Sequence, residues 1–307
     1  MPNHAVATSI GLIAIGMWAS LALLTAASGT IPPFQLLAMT FAVGATLGLV
    51  SWLFRPGAFH ALVQPLPVWM LGIGGLFGYH AVYFAALRIS PPAEASLVAF
   101  LWPLLIVLLT ALLPGEHLRW HHVAGALLGF GGVVVLALGK GTSFDAANLP
   151  GYCLALACAF IWSGYSVLSR RLKRVPTDAV VGFCLATALL AIPAHLAFEE
   201  TVWPAGLVEW LAVLGLGLGP VGIAFYAWDH GVKHGDIRLL GVASYATPIL
   251  STVILVALGF AEASRALAIA CLLIAAGALL ASKDQILRRP GRSAQAAAKD
   301  ANAATMP

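Results

Sequence analysis

ATSIGLIAIGMWASLALLTAA, residues 7–27, runs for twenty-one residues without one ionisable side chain. A bilayer core asks for about 20 consecutive apolar residues per helix, so this stretch reads as the body of a membrane span near 6–28. Nine more follow, near 32–54, 66–88, 91–113, 119–139, 149–172, 178–199, 206–232, 237–259 and 263–287. The predicted fold class is therefore an all-α polytopic membrane protein with ten transmembrane helices.

Composition agrees. Hydrophobic residues make up 61% of the 307, charged residues 9%, and the mean hydropathy is +0.94. Soluble domains average roughly 25% charged residues, so there is too little charge to coat a soluble surface. The connections are short and built on Gly or Pro, as at Pro32-Pro33, Pro91-Pro92, Pro114-Gly115 and Gly235-Asp236, which leaves no room for a soluble domain. Residues 288–307 are polar and Ala-rich and are expected to form a disordered cytoplasmic tail. Residues 1–8 carry no Lys or Arg, so the first span reads as a helix rather than a signal peptide. Cys153, Cys158, Cys184 and Cys271 lie inside apolar segments without CxxC spacing and read as packing residues.

The chain repeats. At a shift of 144 residues Trp18 meets Trp162, in GMWAS and FIWSG. At 145, Tyr83 meets Trp228 and Pro103 of FLWPLL meets Pro248 of SYATPIL. At 146, Glu116 meets Glu262, Arg119 meets Arg265 and Gly131 meets Gly277. The expected division is a first five-helix repeat over 1–143 and a second over 144–287. Five is odd, so the second repeat enters the membrane from the opposite side. Inverted repeats are a common transporter architecture, with substrate held near the midplane between the halves.

Lys and Arg favour the cytoplasmic side. With both termini inside, the inner loops and tail hold Arg55, Arg119, Arg170, Arg171, Lys173, Arg174, Lys233, Arg238, Lys283, Arg288, Arg289, Arg292 and Lys299, against Arg88, Lys140 and Arg265 outside. The net charge of +4 thus reflects topology. No basic face exists for nucleic acid.

Ionisable groups at membrane depth are expensive and are usually functional or paired. His80, Glu94 and Asp229 are the candidates for proton coupling. Each has a plainer reading: a neutral His80 satisfied by a neighbouring helix, Glu94 at the positive end of a helix that starts after Pro91-Pro92, and Asp229 snorkelling to the interface. Mid-membrane Trp and Tyr need partners for their NH or OH, which a shared polar cavity would supply. Tyr79, Tyr83, Trp102, Trp162, Tyr226, Trp228 and Tyr245 are therefore expected, with His80, to bind substrate. Pro103, Pro220 and Pro248 are candidate helix-break or gating positions, since proline removes a backbone bond. A packing kink is the plainer alternative.

HExxH, GxSxG and Walker motifs are absent from the sequence, so no catalytic residue and no cofactor are assigned, and transport would be secondary. His117, His121 and His122 with Glu116 have a spacing able to hold a metal, but their expected setting is exposed and interfacial, and no metal site is assigned.

Together these features resemble the EamA-type branch of the drug/metabolite transporter superfamily, and within it the aromatic amino acid exporters. The likeness is carried by IGLIAIGMWAS at 10–20, FLWPLLIVLL at 100–109, AFIWSGYSV at 159–167, AFYAWDHGVKHGDI at 224–237 and SYATPILS at 244–251. It implies a bacterial inner-membrane exporter of aromatic and other neutral amino acids. It also implies alternating access through a central cavity lined by segments 3, 4, 8 and 9 and their neighbours, with Trp18 added to the residues expected to bind substrate, a monomer sufficient for the pathway and membrane lipids as surroundings. GYHAVYFAALRI departs from the family pattern by placing His80 where an acidic residue is expected, and Asp229 takes an amide-like position. Efflux of drugs or other metabolites is the alternative in the same class. A membrane-embedded lipid enzyme is the alternative outside it.

Overall fold

A computed structural model describes residues 3–283, apart from 56, 116, 140 and 260–263. Glu116, Glu262 and the tail expected at 288–307 lie outside the described residues. Those residues are all-helical, with no strand among them. Nine helices are long and apolar enough to cross a bilayer: span 1 (His4–Ala27), span 2 (Pro33–Trp52), span 3 (Leu66–Ile89), span 4 (Pro92–Leu112), span 5 (Trp120–Gly139), span 6 (Ala146–Ser169), span 7 (Ala179–Phe198), span 8 (Leu207–His234) and span 9 (Ile237–Ala257). The tenth, Arg265–Ala281, is described for 17 residues. At 1.5 Å per residue that is about 26 Å, at the short end of what spans a bilayer.

The helix starts follow local chemistry. Pro33 and Pro92 open spans 2 and 4, where a missing N–H costs nothing. The Asp236 carboxylate accepts from the N–H groups of Arg238 and Leu239, both at 3.0 Å, and caps span 9. At the far end of span 8 the Arg170 guanidinium donates to the carbonyls of Val232, Lys233 and Gly235 at 3.1, 3.1 and 2.7 Å. A cation there suits the negative end of the helix.

Packing follows the repeat. Span 1 lies on span 8 and span 6 on span 3; span 6 lies on span 4 and span 1 on span 9; spans 2 and 7 pair, as do spans 5 and 10. Exchanging the two halves maps this set of pairs onto itself. Lipid supplies no hydrophobic drive between helices, so close approach through small residues matters. A Cβ added to Gly125 would meet the Gly277 carbonyl at 2.6 Å, so spans 5 and 10 touch backbone to backbone.

Departures from the α-helix repeat as well. In span 3 residues Gly74–Gly78 form a π-turn, closed by the Tyr79 N–H on the Gly74 carbonyl. In span 8 residues Gly219–Ile223 form another, closed by the Ala224 N–H on the Gly219 carbonyl. The two are offset by 145 residues, like Pro103 and Pro248. Spans 4 and 9 break at Phe100-Leu101 and at Ser244-Tyr245, and Pro103 and Pro248 sit in the first turn of the restarted helices. With no N–H at Pro248, the Ser244 carbonyl accepts instead from Thr247, at 3.1 Å.

Spans 2 and 7 are clasped at both ends. Arg55, after span 2, pairs with Asp178, before span 7, at 2.7 Å. At the opposite end Glu199 accepts from the N–H groups of Phe34 and Gln35 at 2.9–3.1 Å, a carboxylate set on the positive end of span 2. All four cysteines are free.

Candidate functional site

Four tryptophans from four spans meet at the centre of the bundle. Trp18 lies 6.3 Å from Trp102, 5.8 Å from Trp162 and 5.1 Å from Trp228 between ring centroids. Trp102 lies 6.3 Å from Trp162 and 5.9 Å from Trp228, and Trp162 lies 6.2 Å from Trp228. Every pair is thus in contact range, mostly edge to face, the arrangement that the ring quadrupole favours. Trp18 and Trp162 occupy equivalent repeat positions, so the cluster draws on both halves.

Hydrogen bonds orient two of these rings. The Trp18 indole N–H donates to the Pro220 carbonyl, inside the π-turn of span 8, at 2.9 Å. The Trp228 indole N–H donates to Ser166 Oγ at 3.0 Å. Ser166 is one turn beyond Trp162, so span 6 supplies both a ring and the anchor of the ring opposite.

Span 3 extends the aromatic surface. The Tyr79 ring lies 5.6 Å from Trp162 and stacks on Tyr83 at 6.0 Å. The hydroxyls of Tyr83 and Ser96 share a 2.7 Å hydrogen bond. His80 lies 5.2 Å from Tyr79 and 5.4 Å from Phe41, and its Nδ1 sits 2.7 Å from the Leu76 carbonyl. A nitrogen that donates there leaves Nε2 as the nitrogen free to act. Gly75 is the floor beneath Tyr165: a Cβ on it would overlap that ring.

Seven of the nine residues expected at the substrate site come together: Trp18, Tyr79, His80, Tyr83, Trp102, Trp162 and Trp228. Tyr226 and Tyr245 do not join them. Tyr226 is two residues from Trp228, roughly 200° around the helix, and its hydroxyl donates to the Gly44 carbonyl at 3.0 Å. Tyr245 is fully buried beside Phe130, 6.2 Å away, and a Cβ on Gly129 would overlap its ring. It packs on span 5, and span 9 gives the cluster no ring. Phe41 and Phe225 were not anticipated. Their rings stack at 5.5 Å, and Phe225 also reaches Trp18 and Trp162. In an apolar helix a phenylalanine carries no polar handle to set it apart.

The acidic candidates have partners of their own. Asp229 does not reach the surface: it is 1% exposed, and its carboxylate binds Lys233 Nζ at 2.8 Å and accepts from the Thr177 hydroxyl at 2.8 Å. Lys233 also donates to the Val175 carbonyl at 3.1 Å. Glu94 is buried at the start of span 4 and accepts from the Ser143 N–H at 3.3 Å, tying down the connection after span 5. Among the described residues the other Glu94 oxygen has no hydrogen-bond partner. His121 and His122 are buried, not exposed as expected, with rings 4.3 Å apart. No metal-holding group of three His, Cys, Asp or Glu occurs among the described residues.

The tryptophan rings meet at the centre, 5.1–6.3 Å apart between centroids. A cavity of about 290 Å3 lies between spans 2, 7 and 8. The centre offers aromatic faces and neutral donors, suited to apolar side chains and to cations held over rings.

The sequence matches a model of the EamA-like transporter family twice, over residues 6–138 and 149–283. The chain belongs to the EamA-like transporter family. This EamA-like transporter is 59% identical over 278 residues to the aromatic amino acid exporter YddG of Ancylobacter novellus, covering 90% of the chain and 96% of that relative. It is 28% identical to the aromatic amino acid exporter YddG of Escherichia coli, over 89% and 96% of the two chains. It is 34% identical to the pseudopaline exporter CntI of Pseudomonas aeruginosa, over 64% and 68%. A solved crystal structure superposes with a TM-score of 0.89 at 57% identity, covering 93% of this chain and all of that one. The apolar helices and these relatives make the EamA-like chain a multi-pass bacterial inner-membrane protein.

Proposed function

We propose that this transporter exports aromatic and other neutral amino acids from the cytoplasm by alternating access. The observation that carries the reading is the meeting of Trp18, Trp102, Trp162 and Trp228, drawn from both halves of the chain. Rings packed this closely hold the two halves together. Substrate takes their place at the centre, exchanging ring-on-ring contacts for contacts with its own side chain, and its ammonium lies over an aromatic face. The names of the relatives support amino acids as cargo.

The halves are 1–143 and 144–287, with both termini cytoplasmic, as the excess of Lys and Arg in alternate loops favours. Pro103, Pro220 and Pro248, all at departures from the α-helix, are the places where the halves bend. One chain suffices for the pathway. Of the three coupling candidates, His80 is the one among the aromatic rings. Asp229 and Glu94 serve the bundle: Asp229 holds Lys233, and Glu94 holds a connection. Proton exchange, if transport uses it, runs through His80.

Purified protein in liposomes, with labelled phenylalanine, leucine and alanine offered with and without a proton gradient, tests the proposal. Saturable flux, with aromatic substrates preferred, is expected. The absence of saturable flux for every neutral amino acid sinks it. Competition by unrelated organic cations moves the reading to general metabolite efflux.

A further inference from the structure

The cavity between spans 2, 7 and 8 has a chemistry of its own. It lies on the side of span 8 away from Trp228. Leu47, Ser51 and Arg55 bound it from span 2 and just beyond, Thr177 and Asp178 from the segment before span 7, and Tyr226 from span 8. Gly48 lets the opposite wall close on span 2: a Cβ there would run into the side chain of Val181 and the Tyr226 hydroxyl.

A guanidinium and a carboxylate stand side by side at its mouth. Arg55 holds Asp178 through two nitrogens, at 2.7 and 3.0 Å, and also donates to Ser51 Oγ at 2.6 Å. Trp52 donates its indole N–H to the same carboxylate at 3.2 Å. The Arg55 side chain is 51% exposed and that of Asp178 25%. The exposed half of Arg55 gives a ligand access to the pair from outside. One molecule with an anion and an ammonium on neighbouring atoms replaces each partner without leaving an unpaired charge. Leu47 and the Tyr226 ring then face whatever that molecule carries between its charges. The volume of about 290 Å3 lies just below the usual range of small-molecule pockets, roughly 300–1,000 Å3. It is sized for one amino acid rather than a drug. The cavity also borders the bundle's buried charges, since Thr177 donates to Asp229.

We infer that this cavity is a second site for an amino acid zwitterion, with Arg55 taking the carboxylate and Asp178 the ammonium, at the entry end of the pathway. The inference rests on the amino acid reading of the transporter. A phosphatidylethanolamine headgroup presents the same pair of charges. The volume, sized for one small molecule with a single apolar side chain beside Leu47 and the Tyr226 ring, favours the free amino acid.

The test is saturation binding of labelled phenylalanine to the full-length protein in phosphatidylcholine nanodiscs. Two molecules per chain are expected for the native protein. Arg55→Gln with Asp178→Asn should bind one, and so should Leu47→Trp, which fills the cavity without touching the clasp between spans 2 and 7. Leu47→Trp decides the matter if the charge variant does not fold. Trp162→Ala should lose the other molecule and keep this one. In flux, Leu47→Trp should raise KM several-fold at an unchanged maximal rate. A native count of one, lost in Trp162→Ala alone, overturns the second site and leaves the export reading standing. A count of two kept by Leu47→Trp also overturns the second site. A count that falls to one when phosphatidylethanolamine replaces phosphatidylcholine overturns the amino acid assignment in favour of the headgroup. No bound amino acid at all overturns both readings.

Discussion

The indole N–H of Trp18 donates to the main-chain carbonyl of Pro220, 2.9 Å away and 202 residues on in the chain. One end of this bond is a ring of the aromatic cluster from the first half. The other is a π-turn of the second half, whose counterpart in span 3 lies 145 residues earlier. π-Turns are rare and gather at functional sites. Here one presents an acceptor to the aromatic cluster.

Trp18→Phe keeps an aromatic ring and removes the donor. The Pro220 carbonyl then loses a bond whose net contribution is about 0.5–1.5 kcal/mol. The expected result is a several-fold rise in KM for aromatic substrates in liposome flux, with the protein still folded. An unchanged KM means that the ring's orientation does not matter.

Ser166→Ala leaves the Trp228 indole N–H, which is fully buried, without its acceptor. Stranding a buried donor costs about 1–3 kcal/mol. Ser166→Thr keeps the hydroxyl and should retain most of the flux that Ser166→Ala loses. Equal loss in both would show that the site fails through packing rather than through the hydrogen bond.

Asp229→Asn strands the Lys233 ammonium, 3% exposed, in the bundle. Breaking one side of a buried ion pair costs roughly 3–5 kcal/mol, while replacing both members with apolar groups is often near neutral. Asp229→Asn should therefore lower the unfolding midpoint in detergent much more than Asp229→Leu with Lys233→Met. If the double variant keeps gradient-dependent flux, the pair is structural.

His80→Gln keeps a hydrogen-bonding side chain and removes the titratable ring. If His80 exchanges protons, flux in the variant loses its dependence on a pH gradient while substrate binding persists. A gradient dependence equal to that of the native protein excludes His80 as the coupling group.

Gly277→Leu places a side chain against the backbone of span 5, where even a Cβ would meet the Gly125 carbonyl at 2.5 Å. The overlap is with backbone, which cannot turn aside, so the cost should exceed the roughly 1–3 kcal/mol of ordinary overpacking. A fall in the unfolding midpoint measures it.

The spans, the repeat and a set of nine candidate residues that includes the four tryptophans were legible in the sequence. Span lengths follow from bilayer thickness, and the repeat follows from matched residues such as Trp18 with Trp162. Tyr79 and Tyr83, four apart, share a helix face by periodicity alone. Ser166 was open to the same reasoning, one turn from Trp162, but a serine in an apolar helix gives no sign of which ring it will meet. The partners of Asp229 were hidden differently. Lys233 is at the helical i+4 spacing, while Thr177 and Val175 come from the segment before span 7.

The sequence by itself determined that the chain is a membrane protein of inverted halves, because a hydrocarbon core admits only long apolar helices and an odd number of spans reverses direction. The tertiary structure alone decided which aromatic side chains meet. Trp228 and Tyr226 are two residues apart in equally apolar surroundings. Only the placing of spans 1, 2 and 6 around span 8 turns one toward the tryptophans and the other toward the cavity of Arg55 and Asp178.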